Sequence, residues 1–328
     1  MGTLSRRAIP AAALAGWAAL CGGARAQGAT DWPSRPVRLI VPYPPGGPTD
    51  ILARVVAQRL AQDLPQPVVV ENRGGASGTI GAEAVARAAP DGATFLVNAS
   101  AHVIVPHLQR VPFDALADFA PVTNIAAVPL ILVVTNALPV RSVPELIAHA
   151  RANPGRLSYA SSSAGGSTHL AGELFKRLAG VDMQHVPYRG AGQALPDVVA
   201  GNTQLMFDSM ASSAGLVREG RLRALAVTTE RRVAAFPDLP TVAEAGPLPG
   251  YAMASWYAMW APARTPPAIL GRMQQAVAAA LRTPEVAEKL ASLGAEPVGD
   301  TPEAFARFCA AESELYGRLV RDAKITAE

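Results

Sequence analysis

The spacing of apolar residues changes abruptly near residue 42 and marks a strand followed by a helix. The largely apolar segment 37–41 is typical of a short buried strand. Apolar residues then recur with helical spacing, at Ile51, Leu52, Val55, Val56, Leu60 and Leu64. Residues 42–50 lie between them and read Pro-Tyr-Pro-Pro-Gly-Gly-Pro-Thr-Asp, which no regular element tolerates in its interior. The pattern therefore predicts a strand, a glycine loop and a helix start in direct succession.

The same succession returns along the chain. In the first block we predict strands over 67–71 and 94–98, a glycine-rich loop over 72–78 and a helix over 79–89. In the second block we predict strands over 129–135, 157–160, 184–187, 203–207 and 223–229, with helices over 144–152, 169–179 and 190–200. The remainder predicts a strand over 255–261 and three helices that open at prolines. Alternating strands and helices favour parallel sheets with right-handed crossovers.

Two such blocks indicate an α/β fold with two open sheets that face each other across a cleft. Ligands of open α/β sheets bind outside the carboxyl ends of the strands, where the glycine loops lie. The strands near 130–135 and 223–229 are candidates for the two connections between the halves. We therefore expect one discontinuous domain over 27–127 and 228–328, and a second domain over 128–227.

The first 26 residues have the pattern of a cleaved export signal. Arg6 and Arg7 precede an apolar segment over 9–20, and Ala24-Arg25-Ala26 is a typical cleavage site. The apolar segment is too short to span a bilayer. We expect a periplasmic protein, exported by the general secretory route or by the twin-arginine route that Arg6 and Arg7 also suggest.

Removal of this segment changes the net charge of the chain. It takes away three arginines and no acidic residue, so 26 Lys and Arg remain against 26 Asp and Glu. A chain without net charge has no basic field for nucleic acid. Cys309 is then the only cysteine, so no intramolecular disulfide is expected.

The glycine loops suggest anion binding rather than catalysis. The amides of a helix's first turn lack partners within the helix, and its dipole adds about half a positive charge there. Seven of the eight residues over 161–168 are Ser, Thr or Gly, a set that suits carboxylate oxygens and ordered waters. Catalytic and metal-binding motifs are absent, so we expect no cofactor, no metal and no enzyme activity.

Several segments resemble the Bug family, the extracytoplasmic solute receptors of tripartite tricarboxylate transporters. They are residues 42–50, 68–73, 90–92, 161–170, 185–190, 206–208, 237–244 and 261–267, in the family's order. The resemblance implies a type II periplasmic binding protein with two α/β lobes, which holds ligand carboxylates through backbone, hydroxyls and waters. The resemblance implies that the ligand-binding residues are Tyr43, Gly46, Gly47, Thr49 and Asp50 in the first loop, and Ser161, Ser162, Gly166, Ser167 and Thr168 in the second. Pro48 has no amide proton, so we expect this loop to offer one donor fewer than relatives that have another residue there.

Further side chains are candidates to bind the part of the ligand that lies beyond the two loops. Arg189, beside Tyr188, could bind a distal carboxylate through its planar fork, or could be a solvated loop residue. Ser100 and Asp208 end predicted strands and could face the cleft, although Asp208 could equally cap a helix or bind an ammonium group. His169 fits either a structural role or the pocket, and capping is the expected role of Ser167 and Thr168.

These residues predict a monomeric receptor that captures a small mono- or dicarboxylate and offers it to a membrane permease. One alternative is an exported α/β serine hydrolase that uses Ser167 or Ser162. Another is a carboxylate receptor that feeds a sensor kinase, which the chain itself does not distinguish from transport. Aromatic residues are only 5% of the chain, which disfavours a sugar ligand.

Overall fold

The computed structural model describes residue 2, residues 32–322 and residues 325–326. Apart from Gly2, the predicted export signal lies outside the described residues. The strands are Val37–Val41 (β1), Val68–Asn72 (β2), Thr94–Ala99 (β3), Phe119–Thr135 (β4), Ser158–Ser161 (β5), Gln184–Pro187 (β6), Leu205–Ser209 (β7), Leu222–Val227 (β8), Ala254–Pro262 (β9) and Glu296–Pro297 (β10). The helices are Pro48–Asp63 (α1), Thr79–Ala86 (α2), Ala101–Ile104 (α3), Val143–Ala152 (α4), Ser167–Ala179 (α5), Ala191–Ala200 (α6), Met210–Arg218 (α7), Val242–Ala245 (α8), Pro267–Leu281 (α9), Pro284–Ser292 (α10) and Pro302–Asp322 (α11). Short 3-10 helices lie at Ala76–Gly78 and Val105–His107.

One long strand joins the two halves of the sheet. The first part of β4, from Phe119 to Pro129, pairs with β9, and the second part, from Leu130 to Thr135, pairs with β7 and β8. The main strand order is β2-β1-β3-β9-β4-β7-β5-β6, with β8 and β10 beside β4. The predicted parallel pairings are confirmed, since β1 lies parallel to β2 and β3, and β5 lies parallel to β6 and β7.

The side chains of β4 alternate between two apolar layers. Leu130, Leu132 and Val134 belong to one buried cluster, whereas Ile131 and Val133 belong to the other. Both faces of the strand are therefore covered, which explains the continuous apolar run from which this part of the strand was predicted. The carboxyl ends of β1 and β5 are left to carry the glycine loops.

The start of β4 was predicted wrongly. The strand begins at Phe119, ten residues before the predicted start at 129. Polar residues and two register shifts interrupt the apolar pattern there. The Asn124 amide donates to Asp300 Oδ1 at 2.7 Å, and the Thr123 hydroxyl donates to the Asp300 carbonyl at 2.8 Å. A carboxylate 176 residues away thus satisfies polar groups that local sequence does not pair.

Two further differences concern helices. α7 was not predicted, since residues 210–218 have only a weak apolar periodicity. α5 begins at Ser167, two residues before its predicted start. Within the described part of the chain, no helix combines the length and apolar character that a membrane crossing requires.

Candidate functional site

Two helices begin in nearly the same conformation on opposite sides of one cavity. Gly47, the N-cap of α1, has φ −83° and ψ 167°, and Gly166, the N-cap of α5, has φ −85° and ψ 170°. A glycine has no side chain with which to cap a helix, and no capping hydrogen bond is present at either end. Both helix starts therefore direct uncapped amides and a positive dipole end toward the same space.

The cavity between these helix starts is small and carries no charged side chain. Its lining hydroxyls come from Tyr43, Thr49, Ser162, Ser163, Ser167, Thr168, Ser255 and Tyr257. Its volume of about 30 Å³ would hold two water molecules. Anionic oxygens would meet only hydroxyls and backbone amides here, an environment that stabilises a carboxylate in its charged form.

The start of α6 closes the cavity from a third side. A methyl group placed on Gly192 would lie 3.0 Å from the Pro45 carbonyl oxygen, and one on Gly190 would lie 3.4 Å from Pro44 Cδ. Gly190 and Ala191 also line the cavity. The loop before α1 therefore touches the backbone of α6 at a position where only glycine fits without a shift.

Asp50 braces the first loop instead of lining the cavity. Its carboxylate accepts hydrogen bonds from the Gly46 amide at 3.0 Å, from Arg54 Nε at 3.0 Å and from Asn72 Nδ2 at 2.9 Å. Burial alone would raise the pKa of Asp50, but these hydrogen bonds and the Arg54 charge hold it below its usual value. The side chain of this predicted ligand-binding residue is therefore occupied in shaping the loop, as is the amide of Gly46.

Ser161, His169 and His185 brace the second loop from behind. Ser161 Oγ is hydrogen-bonded to His185 Nε2 at 2.7 Å and donates to the Ser163 carbonyl at 3.1 Å. His169 Nδ1 accepts from the Gly165 amide at 3.1 Å, and its ring stacks on His185 with centroids 3.8 Å apart. Burial lowers the pKa of His169 to about 4 and that of His185, with help from His169, to about 3. Both rings are thus neutral at pH 7, which leaves His169 Nδ1 free to accept from the Gly165 amide.

The expectation that Ser167 and Thr168 cap α5 is wrong. Both residues lie inside the helix, at its first and second positions, because Gly166 is the N-cap. The Thr168 hydroxyl instead accepts from the Ser162 amide at 3.1 Å and is hydrogen-bonded to Ser162 Oγ at 3.0 Å. Ser162, Gly166, Ser167 and Thr168 all line the cavity. Their contact with a ligand stays a prediction.

Ser100 and Asp208 are completely buried and do not line the cavity. Asp208 Oδ2 accepts from Ser212 Oγ at 2.5 Å, while Oδ1 has no hydrogen-bond partner. Burial raises the pKa of Asp208 to about 7. Neither residue lies where the cavity would bring it against a ligand.

Tyr188 and Arg189 lie outside the small cavity and line a second, larger chamber next to it. The Tyr188 hydroxyl donates to Asp197 Oδ2 at 2.7 Å, so this side chain is held against α6. Arg189 is exposed. These two predicted residues therefore share a space with each other, and Tyr43 connects that space to the first cavity.

Three of the hydroxyl-bearing residues that line the cavity were missed from the sequence. Ser255 and Tyr257 are two residues apart in β9, so their side chains lie on the same face of the sheet. Ser163 lies within the second loop. The alternation was visible in the predicted strand. Which of its two faces meets the cleft depends on the pairing of β9 with β4, which no local signal reveals.

The geometry gives no support to a serine hydrolase. Ser162 is paired with Thr168, and no described histidine is hydrogen-bonded to Ser162 or Ser167. The Ser161–His185 pair has the right distance, but Ser161 is 0% exposed and no substrate could reach it.

Comparisons with known proteins identify the family of this chain. The family model "Tripartite tricarboxylate transporter family receptor" matches residues 52–325. Protein BugT from Bordetella pertussis is 38% identical over 90% of this chain and 91% of its own length. The structure of R. palustris Rpa4515 with adipate superposes with a TM-score of 0.88 at 41% identity, over 90% of this chain and 99% of that one. The periplasmic binding protein BugD superposes with a TM-score of 0.87 at 32% identity, over 90% of this chain and all of that one.

The match extends over most of the chain in both sequence and structure, and it confirms the resemblance to the Bug family and the two-lobed α/β fold. The family and the structural neighbours are solute-binding receptors, which are not enzymes. The chain therefore belongs to the receptor family of the tripartite tricarboxylate transporters.

Proposed function

We propose that this protein is a periplasmic receptor that captures a small carboxylate between the starts of α1 and α5. The observation that carries the proposal is the pair of matched, uncapped helix starts that face one cavity without a charged side chain. Each offers backbone amides and hydroxyls to carboxylate oxygens. A hydrogen bond to a charged group contributes about 1.5–3 kcal/mol, so a few such donors suffice without a cation.

Capture involves closure of two lobes about a hinge. The proposed lobes are residues 27–127 with 228–328, and residues 128–227. Two features support the division: β4 changes pairing partners between Pro129 and Leu130, and β8 and β9 follow one another along the same side of β4. The contact of Gly192 with Pro45 then forms when the lobes close over the ligand.

In this proposal the receptor delivers its ligand to membrane permease subunits, which the family's description supports. The adipate bound to a relative at 41% identity supports a carboxylate ligand for this chain also. The export signal over residues 1–26 would place the mature receptor, a monomer, in the periplasm.

A pair of proline variants tests the helix-start mechanism. Pro48 occupies the first position of α1 and lacks an amide proton, whereas Ser167 occupies the first position of α5 and has one. Ser167→Pro would remove that donor, and Gly166 already has the extended conformation that a following proline requires. Pro48→Ala would add the missing donor to α1.

The experiment is calorimetric titration of adipate, succinate and hexanoate into residues 27–328. We expect Ser167→Pro to weaken carboxylate binding about tenfold or more, and Pro48→Ala to tighten it several-fold. Pro284→Ala is the matched control, since Pro284 begins α10 outside the cavity. Unchanged affinities in both site variants, or a wild-type protein that binds no carboxylate, would refute the proposal.

A further inference from the structure

A buried carboxyl group lies at the proposed hinge, between the two lobes. Asp208 of β7 pairs with β4 just after the point between Pro129 and Leu130 at which β4 changes partners. Tyr257 of β9 pairs with β4 shortly before that point. The side chains of Asp208 and Tyr257 interact, although they belong to different proposed lobes. Movement of the lobes about β4 therefore changes the surroundings of this carboxyl.

Tyr257 also connects the carboxyl to the cavity. Its side chain lines the cavity together with Ser255, and it interacts with Ser209 and Asp208. Asp208 itself does not line the cavity, so the side chain of Tyr257 separates it from a ligand bound there. A negative charge on the ligand raises the free energy of a negative charge on Asp208, because the protein interior between them screens charge poorly.

The contacts of Asp208 favour a protonated carboxyl. The side chain is 0% exposed, its Oδ2 accepts from Ser212 Oγ at 2.5 Å, and its Oδ1 has no hydrogen-bond partner. The hydroxyl oxygen of the next residue, Ser209, also lacks a partner. An ionised carboxylate can only accept hydrogen bonds, whereas a protonated carboxyl can donate one. Burial accordingly raises the pKa of Asp208 to about 7, so changes in its surroundings alter its protonation near neutral pH.

Among the described residues, no cation offsets a charge on this carboxyl. On α7, Arg218 donates to the Ser292 carbonyl at 3.1 Å, and on α6, Asp197 accepts from the Tyr188 hydroxyl at 2.7 Å. The strand β4 contains no titratable residue between positions 119 and 135. The elements on this side of β7 therefore leave Asp208 without a charged partner.

The titratable residues of α5 and β5 lie on the other face of β7. Phe175 of α5 packs against Phe207 with ring centroids 5.4 Å apart, and neighbouring residues of a strand point to opposite faces. Phe207 and Asp208 therefore face different layers. The residues concerned are Tyr159, His169, Glu173, Lys176 and Arg177. Tyr257 is thus the titratable side chain that faces Asp208, and it is neutral because burial raises its pKa to about 12.

We propose that Asp208 couples carboxylate capture to the uptake of one proton from water. In the open protein, water reaches the carboxyl at the hinge and stabilises its ionised form. Closure removes this water, and the ligand brings a negative charge to the cavity that Tyr257 lines. Asp208 therefore binds a proton as the ligand is captured, and returns it to water when the lobes open. This inference rests on the proposed function, because it concerns the regulation of the same site.

The coupling makes capture weaker as pH rises. Where capture takes up one proton, the dissociation constant rises about tenfold per pH unit. Other described groups at the cavity do not titrate near neutral pH. The lining carries no charged side chain, and the pKa values of His169 and His185, behind the second loop, are about 4 and about 3. A pH dependence of affinity between pH 7 and pH 8.5 therefore reports Asp208.

The test counts the protons that accompany binding. Adipate is titrated into residues 27–328 by calorimetry at pH 7 and pH 8.5, in phosphate and in Tris buffer. Both carboxylates of adipate are ionised at these pH values, so the ligand itself carries no proton. The two buffers absorb different heats when they release a proton, and the difference in observed heat gives the number of protons that the complex takes up.

We expect wild-type protein to take up a measurable fraction of one proton at pH 7, and its dissociation constant to rise several-fold between pH 7 and pH 8.5. Asp208→Asn keeps an acceptor for Ser212 but does not titrate, so it should bind adipate without proton uptake and with equal affinity at both pH values. Asp238→Asn is the matched control and should retain the wild-type uptake, because Asp238 is exposed and does not line the cavity.

The outcomes separate this inference from the function on which it rests. Adipate binding without proton uptake in wild-type protein, or undiminished uptake in Asp208→Asn, would overturn the coupling and leave the carboxylate site standing. The wild-type measurement needs no variant and so decides the question if Asp208→Asn does not fold. Failure of adipate, succinate and hexanoate all to bind wild-type protein would overturn the proposed function, and this inference with it.

Discussion

Asp208 should make the stability of this protein depend on pH in a direction opposite to that of most carboxylates. The residue lies one position before the end of β7, is 0% exposed and has one carboxylate oxygen without a partner. Tyr257 interacts with it and is neutral at ordinary pH, because burial raises the Tyr257 pKa to about 12. No ion pair with Asp208 is found among the described residues, and burial raises the pKa of Asp208 from 3.8 to about 7.

The sign of this pH dependence follows from which state, folded or unfolded, holds the proton of Asp208. Between pH 4 and pH 7 the folded protein keeps Asp208 protonated, whereas the unfolded chain has released this proton. The folded state therefore loses stability as pH rises through this range. Each pKa unit corresponds to about 1.4 kcal/mol, so the full effect is on the order of 4 kcal/mol, of which about 2–3 kcal/mol falls between pH 5 and pH 8.

The assay is urea unfolding of residues 27–328 at pH 5 and pH 8, for wild type and Asp208→Asn. Asparagine keeps an oxygen for the Ser212 hydroxyl but does not titrate. We expect the wild type to lose about 2–3 kcal/mol more than the variant between the two pH values. Asp238→Asn is the control, since Asp238 is an exposed carboxylate far from β7 in sequence. An identical pH dependence for wild type and Asp208→Asn would refute the reasoning.

Two further variants test the loops of the site. His169→Leu removes the acceptor for the Gly165 amide, and should weaken ligand binding and speed hydrogen exchange at that amide, whereas His169→Asn keeps an acceptor near Nδ1 and should recover part of both. Equal ligand affinity and equal hydrogen exchange in the two variants would contradict a role for the hydrogen bond between the Gly165 amide and His169. Gly192→Ala places a methyl group 3.0 Å from the Pro45 carbonyl oxygen, and should weaken ligand binding several-fold without lowering the thermal midpoint of the ligand-free protein. Gly215→Ala, with open space around it in α7, should leave affinity unchanged, and a similar loss of affinity there would argue against a closing contact at Gly192.

Local patterns were sufficient to predict the elements that carry the site. The strand over 37–41, the loop after it and the start of α1 near Pro48 all follow from apolar period and from the positions of glycine and proline. The same signals predicted β5, its hydroxyl-rich loop and α5. These predictions held because hydrogen-bonding capacity, side-chain period and backbone freedom are properties of a few consecutive residues.

The composition of the site was decided by contacts between distant segments. Ser255 and Tyr257 enter the cavity because β9 pairs with β4 in one particular register, and a shift by one residue would turn both away. Asp50 and Ser161 were predicted to contact the ligand. In the structure the Asp50 side chain is hydrogen-bonded to Asn72 of β2, and the Ser161 side chain to His185 of β6.

The sequence by itself thus determined where helix starts and small hydroxyls occur along the chain. Only the tertiary structure decided which of them meet. The dihedral match of Gly47 and Gly166 is local, but their approach across one cavity depends on a sheet whose central strand passes through both halves. The proximity of Tyr43 to Arg189 in one chamber is likewise a product of that packing, because a side chain's partners in a folded protein are set by long-range contacts and not by its neighbours in sequence.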